Sequence, residues 1–320
     1  MKVVAALGGN ALLERGEAPD SDIQEAHVAK AVEALVPLAQ FHDLIITHGN
    51  GPQVGVLAIE SAGDPALSRP YPFDVLTAQT QGMIGYWIVQ ALGNALPAKA
   101  AACVICRILV SADDPAFRQP AKFVGPGYPE EQARQLAAQG GWDVRQDGTA
   151  WRRVVPSPEP LELVELPLIR LLAGRGAIVV CAGGGGIPVT DDGSGRLRGV
   201  ECVVDKDLTA ALLAQAVDAD ALLLLTDVEA VQDGYGTPQA RPLRAVTSSE
   251  LRARTFPAGS MGPKVEAVCR FVEATGGMAA IGRLGDAAAL LDRTAGTIVS
   301  PDRPVLWPLA TSCSARWSGE

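Results

Sequence analysis

The sequence has no uninterrupted apolar stretch of about 18 residues, the length a helix needs to cross a bilayer, so no membrane span is expected. Its N-terminal apolar run, Val3–Leu7, stops at Gly8-Gly9. That is too short for a secretory signal, lacks a cleavage region and reads as a strand. Clustered Lys and Arg are also missing, and the net charge is −9. Work on nucleic acid is therefore disfavoured, because it relies on basic side chains neutralising phosphates. A small anionic substrate remains open, since a pocket can be locally positive on an acidic protein. Cysteine is sparse, with six in 320 residues and only Cys103 and Cys106 close together, inside an apolar run. Without a second pair or a Cys/His cluster they read as buried free thiols. The G-x-x-x-x-G-K-[ST] pattern is absent, and Gly49 to Gly55 is one residue too long for G-x-G-x-x-G, which disfavours P-loop and Rossmann enzymes.

What is present is ordinary soluble composition, 48% hydrophobic and 20% charged, in a chain long enough for one large domain or two lobes. Apolar runs at 3–7, 44–47, 177–181, 221–226 and 278–281 alternate with amphipathic stretches at 23–40, 78–92, 208–216 and 264–274. That alternation predicts an α/β fold, a parallel sheet covered by helices. Residues of roughly 115–160 break the pattern, with Pro115, Pro120, Pro126, Pro129, Pro156, Pro158 and Pro160, and read as an inserted lid with a helix near 129–139. We expect a substrate lobe over 1–215 that includes the lid, a nucleotide lobe over 216–300 and a poorly ordered tail over 301–320.

Two glycine loops follow the first two strands directly: Gly8-Gly9-Asn10 and His48-Gly49-Asn50-Gly51-Pro52. Glycine there lets backbone N–H groups approach an oxyanion, and a helix beginning just after adds its positive end. Either loop alone could be a tight turn; two on successive strands favour an anion cradle at the sheet edge where α/β folds bind ligands. A third loop, Gly183–Gly186, has four consecutive glycines and suggests close approach of a phosphate. Lys206 stands between Asp205 and Asp207 at a helix start, where an aspartate can cap the helix and also hold the lysine extended. Lys264 lies just past Gly262-Pro263 at another helix entrance.

Together these strings resemble the carbamate kinases of the amino acid kinase superfamily, over nearly the whole chain to about residue 300. The resemblance is carried by Leu7–Leu12, Thr47–Gly55, Gln81–Tyr86, Lys122–Tyr128, Cys181–Val189, Asp205–Leu208, Leu225–Val228 and Gly259–Glu266. It implies an open three-layer αβα sandwich and a cytoplasmic homodimer that moves a phosphoryl group reversibly between Mg²⁺-bound ATP and carbamate, giving carbamoyl phosphate and ADP. It places the acceptor on Gly8, Gly9, Asn10, Gly49, Asn50 and Gly51. The nucleotide falls on Lys206, Asp227, Val228, Tyr235, Met261, Gly262 and Lys264, with no protein ligand assigned to the metal.

Related kinases of the superfamily carry a lysine just before the first glycine pair, where this chain has Ala5-Ala6. The matching charge in the carbamate kinases comes from the insert and corresponds to Lys122. We expect Lys122 and Lys206 to act on the transferred group with Asp205 orienting the lysines, and lid closure to complete the site. An already anionic acceptor needs no base, so His48 reads as structural. The alternatives are a kinase of this fold with another small carboxylate acceptor, or a silent nucleotide-binding regulator. Pro156 and Ala121 depart from the family pattern without removing a charged residue.

Overall fold

A computed structural model describes residues 1–14, 16–257 and 259–301, with all side chains except that of Asn10. The expected tail lies outside the described residues from position 302 on, as does the side chain of the candidate Asn10.

The core is an eight-stranded sheet. In chain order its strands are β1 (Lys2–Leu7), β2 (Asp43–His48), β3 (Ala101–Val104), β7 (Ile178–Cys181), β8 (Ala221–Thr226), β9 (Ala245–Thr247), β10 (Met278–Arg283) and β11 (Thr297–Ser300). They lie side by side as β9-β11-β10-β8-β1-β2-β7-β3. All neighbours are parallel except β10 and β11. Nearly every residue of β1 is buried, as parallel strands covered on both faces require.

Its alternation divides the core. Val3, Ala5 and Leu7 face one cluster, which includes Val28, Val32 and Leu35 of α1 (Ser21–Phe41) and Ile84 and Ile88 of α3 (Phe73–Ala95). Val4 and Ala6 face the other, with Leu213 of α6 (Lys206–Ala216) and Val268 and Phe271 of α8 (Met261–Thr275). These are the three layers of an αβα sandwich. Helices α2 (Gly51–Gly63), α5 (Leu166–Ala173), α7 (Ser248–Arg252) and α9 (Ala287–Leu291) complete the covering.

Between β3 and β7 a separate three-stranded sheet stands off the body, β4 (Lys122–Tyr128), β5 (Asp143–Asp147) and β6 (Ala150–Val155), carrying helix α4 (Glu130–Gly140). A small cluster of Val124 and Val155 against Val54, Phe73 and Leu76 seats it on α2 and α3. Its root is tied down by Ala121 N–H donating to Val155 O, Val203 N–H to Pro156 O, and Glu159 N–H to the carboxylate of Asp114. A Glu159–Arg270 ion pair links that root to α8.

The strand β1 and the strand β8 pair residue by residue, so one continuous sheet spans both expected lobes. Among the described residues the cysteines are unpaired thiols, and no helix is long and apolar enough to cross a membrane. Burial pushes Cys103 and Cys269 to about 11 and Cys202 to about 12, which makes them poor nucleophiles.

Candidate active site

Two clefts open at the carboxyl ends of the parallel strands, on either side of the end of β1. The first, about 560 Å³, is lined by Gly9, by Gly49, Asn50 and Gly51 after β2, by Gly184 after β7, and by Lys122, Asp205, Lys206, Asp207 and Lys264. The second, about 540 Å³, is lined by Gly8 and Gly9, by Thr226, Asp227 and Val228 after β8, and by Tyr235, Phe256 and Met261. Gly9, Gly259, Ser260 and Lys264 belong to both. Gly8, expected with the acceptor, thus lines the second cleft. Gly262 lines neither, and its N–H donates to Pro257 O at the start of α8.

The glycines are there for close approach. A Cβ on Gly8 would stand 3.0 Å from Leu225 O, and one on Gly49 would stand 3.2 Å from Gly9 N. The four-glycine loop has a different explanation from the expected phosphate contact. All four residues are buried. A Cβ on Gly183 would meet the His48 ring at 2.3 Å, one on Gly184 the Asn50 amide at 2.3 Å, one on Gly185 Val204 O at 2.4 Å and one on Gly186 Ile108 at 2.9 Å. Positive φ at Gly184, Gly185 and Gly186 adds a backbone requirement. The loop is mainly a packing device beneath the first cleft, and only Gly184 reaches the cleft wall. The Asn50 amide points away into α3, donating to Thr80 Oγ1 at 2.9 Å.

Three lysines from three parts of the chain converge here, and two carboxylates divide them. Asp205 caps α6, its Oδ1 accepting from the N–H of Asp207 at 2.9 Å and of Leu208 at 3.4 Å, while its Oδ2 holds Lys122 Nζ at 2.7 Å. Asp207, two residues on, takes Lys206 Nζ at 2.7 Å on one oxygen and Lys264 Nζ at 3.0 Å on the other. Asp205 therefore orients Lys122 alone, and Asp207 sets the other two.

Burial alone would raise the Asp207 pKa, but Lys206 and Lys264 together hold it down at about 2. The Lys206 pKa shifts the other way from what an ion pair gives, lowered by burial and by the cationic Lys264, with Asp207 only partly offsetting them. Both values fall because Asp207 meets two ammonium groups, whereas Lys206 is buried and shares one carboxylate with a second cation. Asp207, Lys206 and Lys264 together carry a net +1, a charge balance suited to an anionic ligand. Arg152, which sequence reasoning did not single out, also lines the first cleft, donating to Gly125 O at 3.0 Å and to Asp147 at 2.8 Å.

His48 is buried at 1% exposure. Its Nδ1–H donates to Gly49 O at 2.9 Å, the tautomer a carbonyl acceptor requires. Burial, countered by that hydrogen bond and reinforced by Lys206, lowers its pKa from 6.5 to about 4. The folded state thus binds the neutral ring, while the unfolded chain protonates below pH 6.5. His48 accordingly contributes stability above pH 6.5 that is lost as pH falls toward 4, a depression worth roughly 3 kcal/mol. Urea unfolding from pH 7.5 to 4.5 is expected to show this decline, and His48→Asn to flatten it.

This arrangement, glycine loops at strand ends beside a cation cluster, is that of a phosphoryl-transfer site. The family model described as "Amino acid kinase family" matches residues 1–281, and the chain belongs to that family. Within it the chain groups with the carbamate kinases. It is 50% identical to the carbamate kinase of Rhizobium meliloti over 94% of this chain and 93% of that one. It is 48% identical to that of Escherichia coli strain K12, over 93% and 99%. The solved carbamate kinase of Giardia lamblia bound to AMP-PNP superposes with a TM-score of 0.85 at 38% identity, covering 94% of this chain and 98% of that one. The chain is a phosphotransferase of the αβα fold.

Proposed function

We propose that the chain transfers a phosphoryl group reversibly between ATP and carbamate, giving carbamoyl phosphate and ADP. The observation that carries this reading is the junction of the two clefts along Gly9, Gly259, Ser260 and Lys264, with Lys122 and Lys206 on the acceptor side. The names of the relatives support the acceptor. Nucleotide seated over Asp227, Val228, Tyr235 and Met261 directs its terminal phosphate toward Lys264. Carbamate sits over Gly9 and Gly49–Gly51.

The carbamate oxygen, already anionic, forms the new bond to the γ-phosphorus as the bond to the β,γ-bridging oxygen breaks, and the electron pair leaves with ADP. No proton has to be removed, which agrees with a buried, neutral His48. Lys122 and Lys206 neutralise the transferring group and Lys264 the bridging and β-phosphate oxygens, with in-line positioning supplying the rest. Among the described residues no group of three or more His, Cys, Asp or Glu forms a metal cage, and both site aspartates are engaged with lysines. Mg²⁺ would arrive with the nucleotide and would supply charge neutralisation of its phosphates beside Lys264.

An Mg²⁺-dependent ADP-release assay with ammonium plus bicarbonate, run beside a panel of carboxylate acceptors, tests the reading. Turnover on another acceptor without carbamate-dependent turnover would overturn it. We also infer a cytoplasmic homodimer. The solvent-facing side of α3 supports the pairing, with Tyr86 60% exposed beside an exposed Ile105. A sedimentation mass of 33.3 kDa, that of one chain, would contradict it.

A further inference from the structure

The guanidinium of Arg153 occupies a slot that neither the glycine loops nor the lysines explain. Arg153 lies on β6, paired with Val124 of β4, and Lys122 pairs with Val155 two residues along. Paired residues share a face of an antiparallel sheet, so Lys122, Val124, Arg153 and Val155 project to one side. Val124 and Val155 lie against the body.

On that side the Arg153 guanidinium is 4.8 Å from the Phe73 ring centroid at the start of α3 and 4.5 Å from that of Trp142 in the insert. Its Nη2 pairs with Glu201 at 2.7 Å, and the other Glu201 oxygen accepts the Phe73 N–H at 3.1 Å. Glu201 stands four residues before Asp205. The inserted sheet therefore meets the segment leading into α6 at three points: Arg153 on Glu201, Pro156 O on Val203 N–H, and Lys122 on Asp205. Burial lowers the Arg153 pKa, with Glu201 offsetting it. A half-buried cation of this kind keeps its place only while its partners stay put.

We propose that Arg153 is a positioning residue, a clasp between Phe73, Trp142 and Glu201 that fixes the inserted sheet on the body and so sets where Lys122 stands in the acceptor cleft. It touches no reacting atom. Planarity matters as well as charge, because only a flat guanidinium stacks between two rings while donating edge-on to a carboxylate. Arg153→Lys is therefore expected to fall with Arg153→Gln, not with the wild type. The inference rests on the phosphoryl-transfer role given to Lys122 above.

The test is a double-mutant cycle with Lys122→Ala, run with whichever acceptor the chain turns over. Arg153→Gln should lower kcat about 10²-fold, the effect of a small misplacement of a group at the chemistry, and leave the ADP KM within about twofold. In the Lys122→Ala background the same substitution should cost nothing further. An equal loss in both backgrounds overturns the proposal. Glu201→Gln serves as a second, milder variant with the same expected pattern, should Arg153→Gln not fold. A readout independent of activity separates the clasp from the role of Lys122. Amide exchange across residues 122–155 should rise at least about tenfold in either variant, as local opening becomes easier, and unchanged exchange overturns the clasp whatever the acceptor proves to be.

Discussion

Replacing Asp207 with asparagine is expected to lower kcat by at least about 10²-fold and to destabilise the fold by about 3–5 kcal/mol. Among the described residues the carboxylate is the only anion bonded to both Lys206 and Lys264, which are 17% and 16% exposed. Asparagine keeps the size and one acceptor, but leaves two like charges close together and almost out of water. Catalysis suffers because both ammonium groups lose their fixed positions, and stability suffers because they lose their counter-charge. Initial rates and urea unfolding read the two effects separately.

Salt and pH sharpen this prediction. Sulfate or ADP supplies the missing negative charge, so either should raise the unfolding midpoint of Asp207→Asn more than that of the wild type. The folded pKa of Asp207, about 2, lies below its ordinary 3.8. Its ion pairing thus adds stability above about pH 4 that disappears as pH falls toward 2, and the variant should lack that part of the acid profile.

Replacing Lys122 with alanine is expected to cost about 10²–10³-fold in kcat with a stability change below about 1 kcal/mol. Its side chain is 37% exposed, so its pair with Asp205 is partly screened. Asp205 keeps its two capping bonds to α6 when the lysine is gone. ADP affinity should hardly move, since Lys122 lines the first cleft and not the second. A Lys122→Ala enzyme within tenfold of wild-type turnover would refute the assignment. The contrast is diagnostic: Asp207 couples chemistry to folding, and Lys122 separates them.

The alternation of apolar runs with helical stretches was enough to expect the layered α/β fold, because periodicity and burial are local properties of the chain. The helix near 78–92 runs from Phe73, just after Pro72, to Ala95, and that near 264–274 starts at Met261 with Pro263 in its first turn. The antiparallel entry of β11 beside β10 had no local signal. The glycine loops and the three lysines were likewise visible as residue types in suggestive places.

The sharing-out of charges was not visible. Asp205 and Asp207 are two residues apart at one helix start, yet Lys122 comes to the first from 83 residues away and Lys264 to the second from 57, and only the tertiary fold decides which lysine meets which oxygen. The four glycines misled for a related reason: what a missing Cβ makes room for, a phosphate or the ring of His48, depends on a strand more than a hundred residues distant. Arg152 and Arg153 stand side by side in sequence, and only their places in the sheet separate a cleft-lining residue from a clasp.

The tethering of the insert at its root has a mechanical consequence. The bonds at Ala121, Pro156 and Glu159 act as a fixed axle, and Lys122 is the first residue beyond it. A group so near the axle has almost no lever arm, whereas Tyr128, helix α4 and the turn at Gly148 have a long one. Any tilt of the far end would therefore displace the Lys122 ammonium very little. The outer wall of the first cleft, Gly125 and Pro126, lies farther from that axle than Lys122 does, so a tilt that moved this wall would leave the charges in register.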